Sequence, residues 1–124
     1  MCKIKSILIV EDEAVNALAL KLMLTTAGYN VIGSVAKGEK AVDEALKKIP
    51  DLILMDIRLA GEIDGIEAAK RIRGQKYIPV IFMTGYAEAS VEERASALHP
   101  EGFLTKPVSY SEIEKRIGVL NSES

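Results

Sequence analysis

The sequence predicts an α/β domain: a doubly wound parallel sheet of five strands with five helices. Three observations predict it. Short apolar runs alternate with helical patterns five times along 124 residues, and strict alternation forces parallel strands joined by crossover helices. Three runs, Ile7-Leu8-Ile9-Val10, Leu52-Ile53-Leu54-Met55 and Val80-Ile81-Phe82-Met83, are apolar without a break, as strands buried on both faces are. Two of them end abruptly in acid, Glu11-Asp12-Glu13 and Asp56, and open sheets of this kind bind ligands beyond the carboxyl ends of their strands.

The elements follow in order. After the first strand, apolar residues at Val15, Leu18, Ala19, Leu22 and Met23 mark a helix stopped by Gly28. Residues 30–36 form a weaker strand with Gly33 inside it, which suits a sheet edge. Ala41, Val42, Ala45, Leu46 and Ile49 mark a second helix, ended by Pro50. The third strand delivers Asp56, and Asp64-Gly65 opens a helix carrying Ile66, Ala69 and Ile72, stopped by Gly74. Residues 79–83 form the fourth strand and deliver Thr84-Gly85. Ala87, Val91, Ala95 and Leu98 space a fourth, less apolar helix. Gly102-Phe103-Leu104-Thr105 is a short fifth strand delivering Lys106-Pro107. Ser109 and Glu112 form a capping-box pattern for the last helix, with Tyr110, Ile113, Ile117 and Leu120, and residues 121–124 read as a polar tail.

For five strands the common doubly wound order is 2-1-3-4-5, the flavodoxin-like arrangement, with its switch point between strands 1 and 3. Glu11-Asp12 and Asp56 stand at the ends of those two strands, so the topology alone makes acids of distant segments converge.

Length and composition fit this. The chain is read as one domain, residues 1–124 with a core of about 4–120. Apolar residues make up 48% and charged residues 27%. A net charge of -2 gives no electrostatic footprint for nucleic acid. Cys2 is the only cysteine, which excludes an internal disulfide and a thiolate metal cluster. No apolar stretch reaches the length of a membrane span and no signal-peptide pattern opens the chain. The expectation is a cytoplasmic protein without a membrane or nucleic-acid partner.

Close carboxylates repel, and the repulsion must be relieved by protonation or by a cation. An all-oxygen set favours a hard divalent ion, Mg²⁺ first, with Mn²⁺ or Ca²⁺ behind it. Thr84 adds a hydroxyl and Lys106 an ammonium at the same sheet end. A carboxylate nucleophile, a metal and a cationic clamp suit phosphoryl transfer.

At this point the sequence resembles the receiver domain of two-component response regulators, over essentially the whole chain. The resemblance rests on Val10-Glu11-Asp12, Met55-Asp56, Asp64-Gly65, Thr84-Gly85 and Lys106-Pro107, each after its expected strand or opening its helix. It implies that Asp56 accepts a phosphoryl group from a sensor histidine kinase or phosphotransfer protein. It implies Mg²⁺ held by Asp12, Asp56 and the backbone carbonyl of Arg58, with Glu11 reaching it through water. Lys106 would pair with Asp56, Thr84 and Phe103 would switch, and the Lys106-Pro107 bond would be cis. Arg58 and Tyr86 would tune acyl-phosphate hydrolysis, and their bulk suggests that it is slow.

The chain departs from the family pattern in one loop. Leu59-Ala60 stands where many receivers carry Met-Pro, and Asp56 to Gly65 is one residue longer than the commonest spacing. Rival readings are weaker. A nucleotide or flavin binder needs a phosphate-cradling loop after strand 1, where this chain has three acids. A phosphatase needs a general acid beside its nucleophile, and many place an Asp two residues on, where this chain has Arg58. A receiver-like module that only binds partners would not need the intact acid set. The expectation is a stand-alone phosphorylation-operated switch rather than a turnover enzyme. Its output would be a protein contact through helix 4, strand 5 and helix 5, with a homodimer through that face as a further use.

Overall fold

A computed structural model describes residues 3–85 and 89–122. The strands are β1 (Ser6–Val10), β2 (Asn30–Val35), β3 (Leu52–Asp56), β4 (Val80–Thr84) and β5 (Gly102–Thr105). The helices are α1 (Ala14–Thr26), α2 (Gly38–Lys48), α3 (Gly65–Arg73), α4 (Ala89–Ser96) and α5 (Tyr110–Ser122). All five strands are parallel, as the alternation predicted, and run in the doubly wound order β2-β1-β3-β4-β5.

The period of two in each strand divides the core between the faces of the sheet. Leu8, Val10, Ile53, Met55, Val80 and Phe82 meet α2, α3 and α4 on one side. Ile7, Ile9, Leu52, Leu54, Ile81 and Met83 meet α1 and α5 on the other. Every residue of β3 and β4 is buried. The weaker β2 lies at the edge, and its register slips between Ile7 and Leu8, so that Leu8 pairs with Gly33. Lys48 Nζ donates to the carbonyl of Ile32, the residue the slip passes over, at 2.9 Å. At the sheet end opposite the acids, Asp51 Oδ2 accepts from the amides of Lys5 and Ser6 at 2.9 and 3.0 Å.

Two expectations need correction. The apolar pattern of α1 points to the wrong face. Val15, Leu18 and Leu22 are 79%, 57% and 58% exposed, while Leu20 and Leu24 are buried. Ala14-Val15-Asn16-Ala17-Leu18-Ala19-Leu20 is apolar nearly all round, so periodicity cannot choose a face. Residues 121–122 are not tail but the last turn of α5, held because Asn121 Oδ1 accepts from the Ile4 amide at 2.8 Å. Tyr86 and Ala87 lie outside the described residues.

Candidate functional site

Four strands deliver side chains to one end of the sheet. Glu11 follows β1 and is buried, Asp12 beside it is exposed, and Asp56 closes β3 with 3% exposure. Thr84 closes β4 and is also buried, and Lys106 follows β5. Parallel pairing aligns these ends. Asp56 is level with Met83, one residue before Thr84, and Thr84 is level with Thr105, one residue before Lys106.

Lys106 sits at the centre of the acids. Its Nζ lies 2.6 Å from Asp56 Oδ2 and 2.8 Å from Glu11 Oε1. The other Asp56 oxygen, Oδ1, accepts from the Arg58 amide at 3.2 Å. The other Glu11 oxygen, Oε2, accepts from the Glu13 amide at 3.1 Å. The peptide bond between Lys106 and Pro107 is cis.

These contacts set the charges. Burial pushes the Asp56 carboxyl up, Lys106 draws it back, and the neighbouring Glu11 pushes it up again, leaving it at about 6. Burial also pushes Glu11 up, but its hydrogen bonds from Lys106 and the Glu13 amide outweigh this, and the net shift is down. Burial draws Lys106 down, yet its two carboxylate partners outweigh that and hold it above the ordinary lysine range. At neutral pH the ammonium is therefore fully charged and the Asp56 carboxylate is mostly ionised.

Glu11, Asp12 and Asp56 each bring a carboxylate oxygen within 4.8 Å of the others. Burial first, and then the neighbouring Glu11, hold the Asp56 carboxyl up against the pull of Lys106. The donors are all oxygen, so these residues fit a hard divalent cation better than a soft one.

The loop after Asp56 is pressed against the site by Gly65. A Cβ on Gly65 would lie 2.0 Å from the Asp56 carbonyl oxygen, and the Gly65 amide donates to the Ile57 carbonyl at 2.8 Å. Asp64 caps α3 by accepting from the Glu67 amide at 2.8 Å, and its second oxygen pairs with Arg94 of α4 at 3.2 Å. In sequence, Asp64-Gly65 marks only a helix start. The need for a missing side chain at Gly65, and the partnership with Arg94, became visible with the fold.

The remaining expected residues are less central. Phe103 is half-buried, its ring 6.0 Å from that of Phe82 and inclined by 28°. The Arg58 side chain is exposed, and its backbone amide donates to Asp56 Oδ1. Tyr86 lies outside the described residues.

Comparison with known proteins agrees with this architecture. Residues 7–118 match the family model of the response regulator receiver domain. The polar-differentiation response regulator DivK of Brucella ovis is 37% identical over 108 residues, covering 85% of this chain and 86% of DivK. The transcriptional regulatory protein PdtaR of Mycobacterium tuberculosis is 34% identical over 109 residues, 88% of this chain. The chain spans about half of PdtaR, 53% of its length. Among solved structures, the signal receiver domain of a modulated diguanylate cyclase from Desulfovibrio desulfuricans superimposes with a TM-score of 0.90 at 35% identity, over 98% of this chain and 96% of that one. The response regulator domain of Thermotoga maritima CheB gives 0.83 at 28% identity, over 93% and 94%. The chain thus belongs to the response regulator receiver domain family and is a phosphorylation-operated switch of two-component signalling.

Proposed function

We propose that Asp56 is the phosphoacceptor and that its phosphorylation depends on Mg²⁺. The observation that carries this is the position of Lys106 Nζ, 2.6 Å from Asp56 and 2.8 Å from Glu11, two members of a cluster of three acids. An Asp56 oxygen attacks the phosphorus of a donor phosphohistidine. The P–O bond forms and the P–N bond breaks, and its electron pair stays on the imidazole, which takes up a proton. Lys106 balances the charge that Asp56 gives up to the phosphoryl oxygens.

Asp12, Asp56 and the Arg58 carbonyl would hold the metal, with Glu11 reaching it through water; Mn²⁺ would substitute. When bound, the metal supplies charge neutralisation at the phosphoryl oxygens. Hydrolysis reverses the modification: water attacks phosphorus, the P–O bond to Asp56 breaks, and inorganic phosphate leaves. Arg58 and Tyr86 would tune its rate.

The donor is a sensor histidine kinase or a phosphotransfer protein; that DivK is a response regulator supports this class of partner. Thr84 closes β4, and Phe103 lies in β5, the strand of the face made by α4, β5 and α5. Their rearrangement would change that face, through which a downstream protein or a second copy binds.

Intact mass after incubation with a small phosphodonor tests the reading. One phosphoryl group should be added with Mg²⁺, none with chelator, and none on Asp56→Asn. An adduct that survives in the variant would place the acceptor elsewhere. A downstream partner that binds phosphorylated and unmodified protein equally would count against the switching face.

A further inference from the structure

The segment from Ile57 to Asp64 joins β3 to α3 and carries Arg58. Its length and Gly61, with φ +103°, leave it without a regular structure to fix its shape. The amino end of α2 holds it instead, at three successive positions. Lys37 forms an isolated parallel bridge with Ala60. Gly38 is buried so closely that a Cβ there would lie 2.6 Å from Ile63 Cγ1 and 2.9 Å from the Ile63 carbonyl oxygen. Glu39 Oε1 accepts from the Ile63 amide at 3.2 Å. Both oxygens of the Glu39 carboxylate also fill the space a side chain on Gly61 would need, at 3.2 and 3.3 Å.

The loop is thus pinned at both ends. The Arg58 amide is bound to Asp56 on the site side, and the Ile63 amide is bound to Glu39 on the α2 side. Between them lies the backbone whose Arg58 carbonyl the reading above gives to the metal. An unsatisfied Ile63 amide would turn to water and take the loop with it.

We propose that Glu39 is a positioning residue: by clamping the Ile63 amide it holds the β3–α3 loop in the shape that presents Arg58 to the acid cluster, and so sets the affinity of the site for a divalent cation. The role rests on the metal reading of Asp12 and Asp56. Glu39 acts through its acceptor oxygen, not its charge, so a neutral side chain with the same oxygen should serve.

The test is calorimetric titration of Mg²⁺ into wild type, Glu39→Ala, Glu39→Gln and Asp12→Asn, with hydrogen exchange of the Ile63 amide in metal-free protein. Removing a group that orients a metal ligand weakens binding by about tenfold or more. Glu39→Ala should therefore raise the Kd about tenfold and speed Ile63 exchange. Glu39→Gln should leave both near wild type. A Gln variant as weak as the Ala variant would mean charge and overturn the clamp. Wild-type binding that Asp12→Asn removes but Glu39→Ala leaves unchanged would overturn the positioning role alone. Wild type that binds no Mg²⁺, or whose binding survives Asp12→Asn, would overturn the metal reading and this inference with it.

Discussion

Gly65 lies so close to Asp56 that the first carbon of any side chain there would sit 2.0 Å from the Asp56 carbonyl oxygen. The obstacle is backbone in the last residue of a fully buried strand, and it cannot swing aside. Gly65→Ala should cost about 3 kcal/mol, the upper part of the range for overpacking. Urea unfolding of the metal-free protein measures it. A loss under about 0.5 kcal/mol would mean that α3 can shift without resistance.

Lys106 both neutralises and competes for the acids. Its hydrogen bond draws the Asp56 carboxyl down from where burial and Glu11 would otherwise hold it. Lys106→Met removes that pull and leaves the other two, so Asp56 should titrate above about 6. Carboxyl-carbon NMR titration of the metal-free variant reads the midpoint. An unchanged or lower midpoint would show that Lys106 does not govern Asp56.

The same shift makes stability depend on pH in a defined window. Asp56 ionises at about 6 in the fold against an ordinary 3.8, so the folded state holds its proton longer. Its contribution is fully present below about pH 4 and is lost as pH rises through about 6. The difference amounts to at most about 3 kcal/mol. Glu11, whose carboxyl is lowered, acts oppositely: its contribution is lost as pH falls below the ordinary glutamate range. Between pH 4.5 and 7.5 the metal-free wild type should lose stability relative to Asp56→Asn, which cannot ionise. Mg²⁺ at ten times its Kd should return about 1.4 kcal/mol. Parallel pH profiles for the two proteins would show that Asp56 is not strained.

Asp64 carries two contacts of unequal worth. Its cap on the Glu67 amide satisfies a helix-end donor, and losing a cap costs about 1 kcal/mol. Its ion pair with Arg94 is exposed to solvent and should contribute about 0–0.5 kcal/mol. Asp64→Ala should therefore destabilise the protein more than Arg94→Ala. A double-mutant cycle isolates the pair, and a coupling above about 1 kcal/mol would show that α4 is tied to α3 through it.

The topology and the acid cluster were legible before the fold because both follow from position along the chain. Strict alternation implied a parallel sheet, the common doubly wound order supplied its strand order, and the strand ends brought Glu11, Asp56 and Lys106 together. Contacts made at the ends of elements and along the β3–α3 loop were not legible. Neither the clamp from Glu39 to Ile63 nor the approach of Gly65 to Asp56 has a sequence period, since each joins segments through local backbone shape. Spacing did mark the place: the stretch from Asp56 to Gly65 is one residue longer than the commonest spacing in the family it resembles. Nothing local marks Asn121 as part of α5, because its partner, the Ile4 amide, is 117 residues away.

Helix α1 shows the same limit and offers the sharpest contrast in stability. An apolar period finds a helix whenever apolar residues recur, but it finds a face only when the opposite side is polar. In α1 both sides are apolar, and the burial of Leu20 and Leu24 is decided by Ile7, Ile9 and Leu54 across the sheet face. Leu24 is completely buried, so Leu24→Ala should cost about 2–5 kcal/mol through lost burial and the cavity left behind. Leu22, two residues earlier and 58% exposed, should tolerate alanine within about 0.5 kcal/mol. Urea midpoints of the two variants decide the orientation of the helix. Equal losses would mean that α1 is rotated in solution, so that the stripe through Val15, Leu18 and Leu22 packs inward.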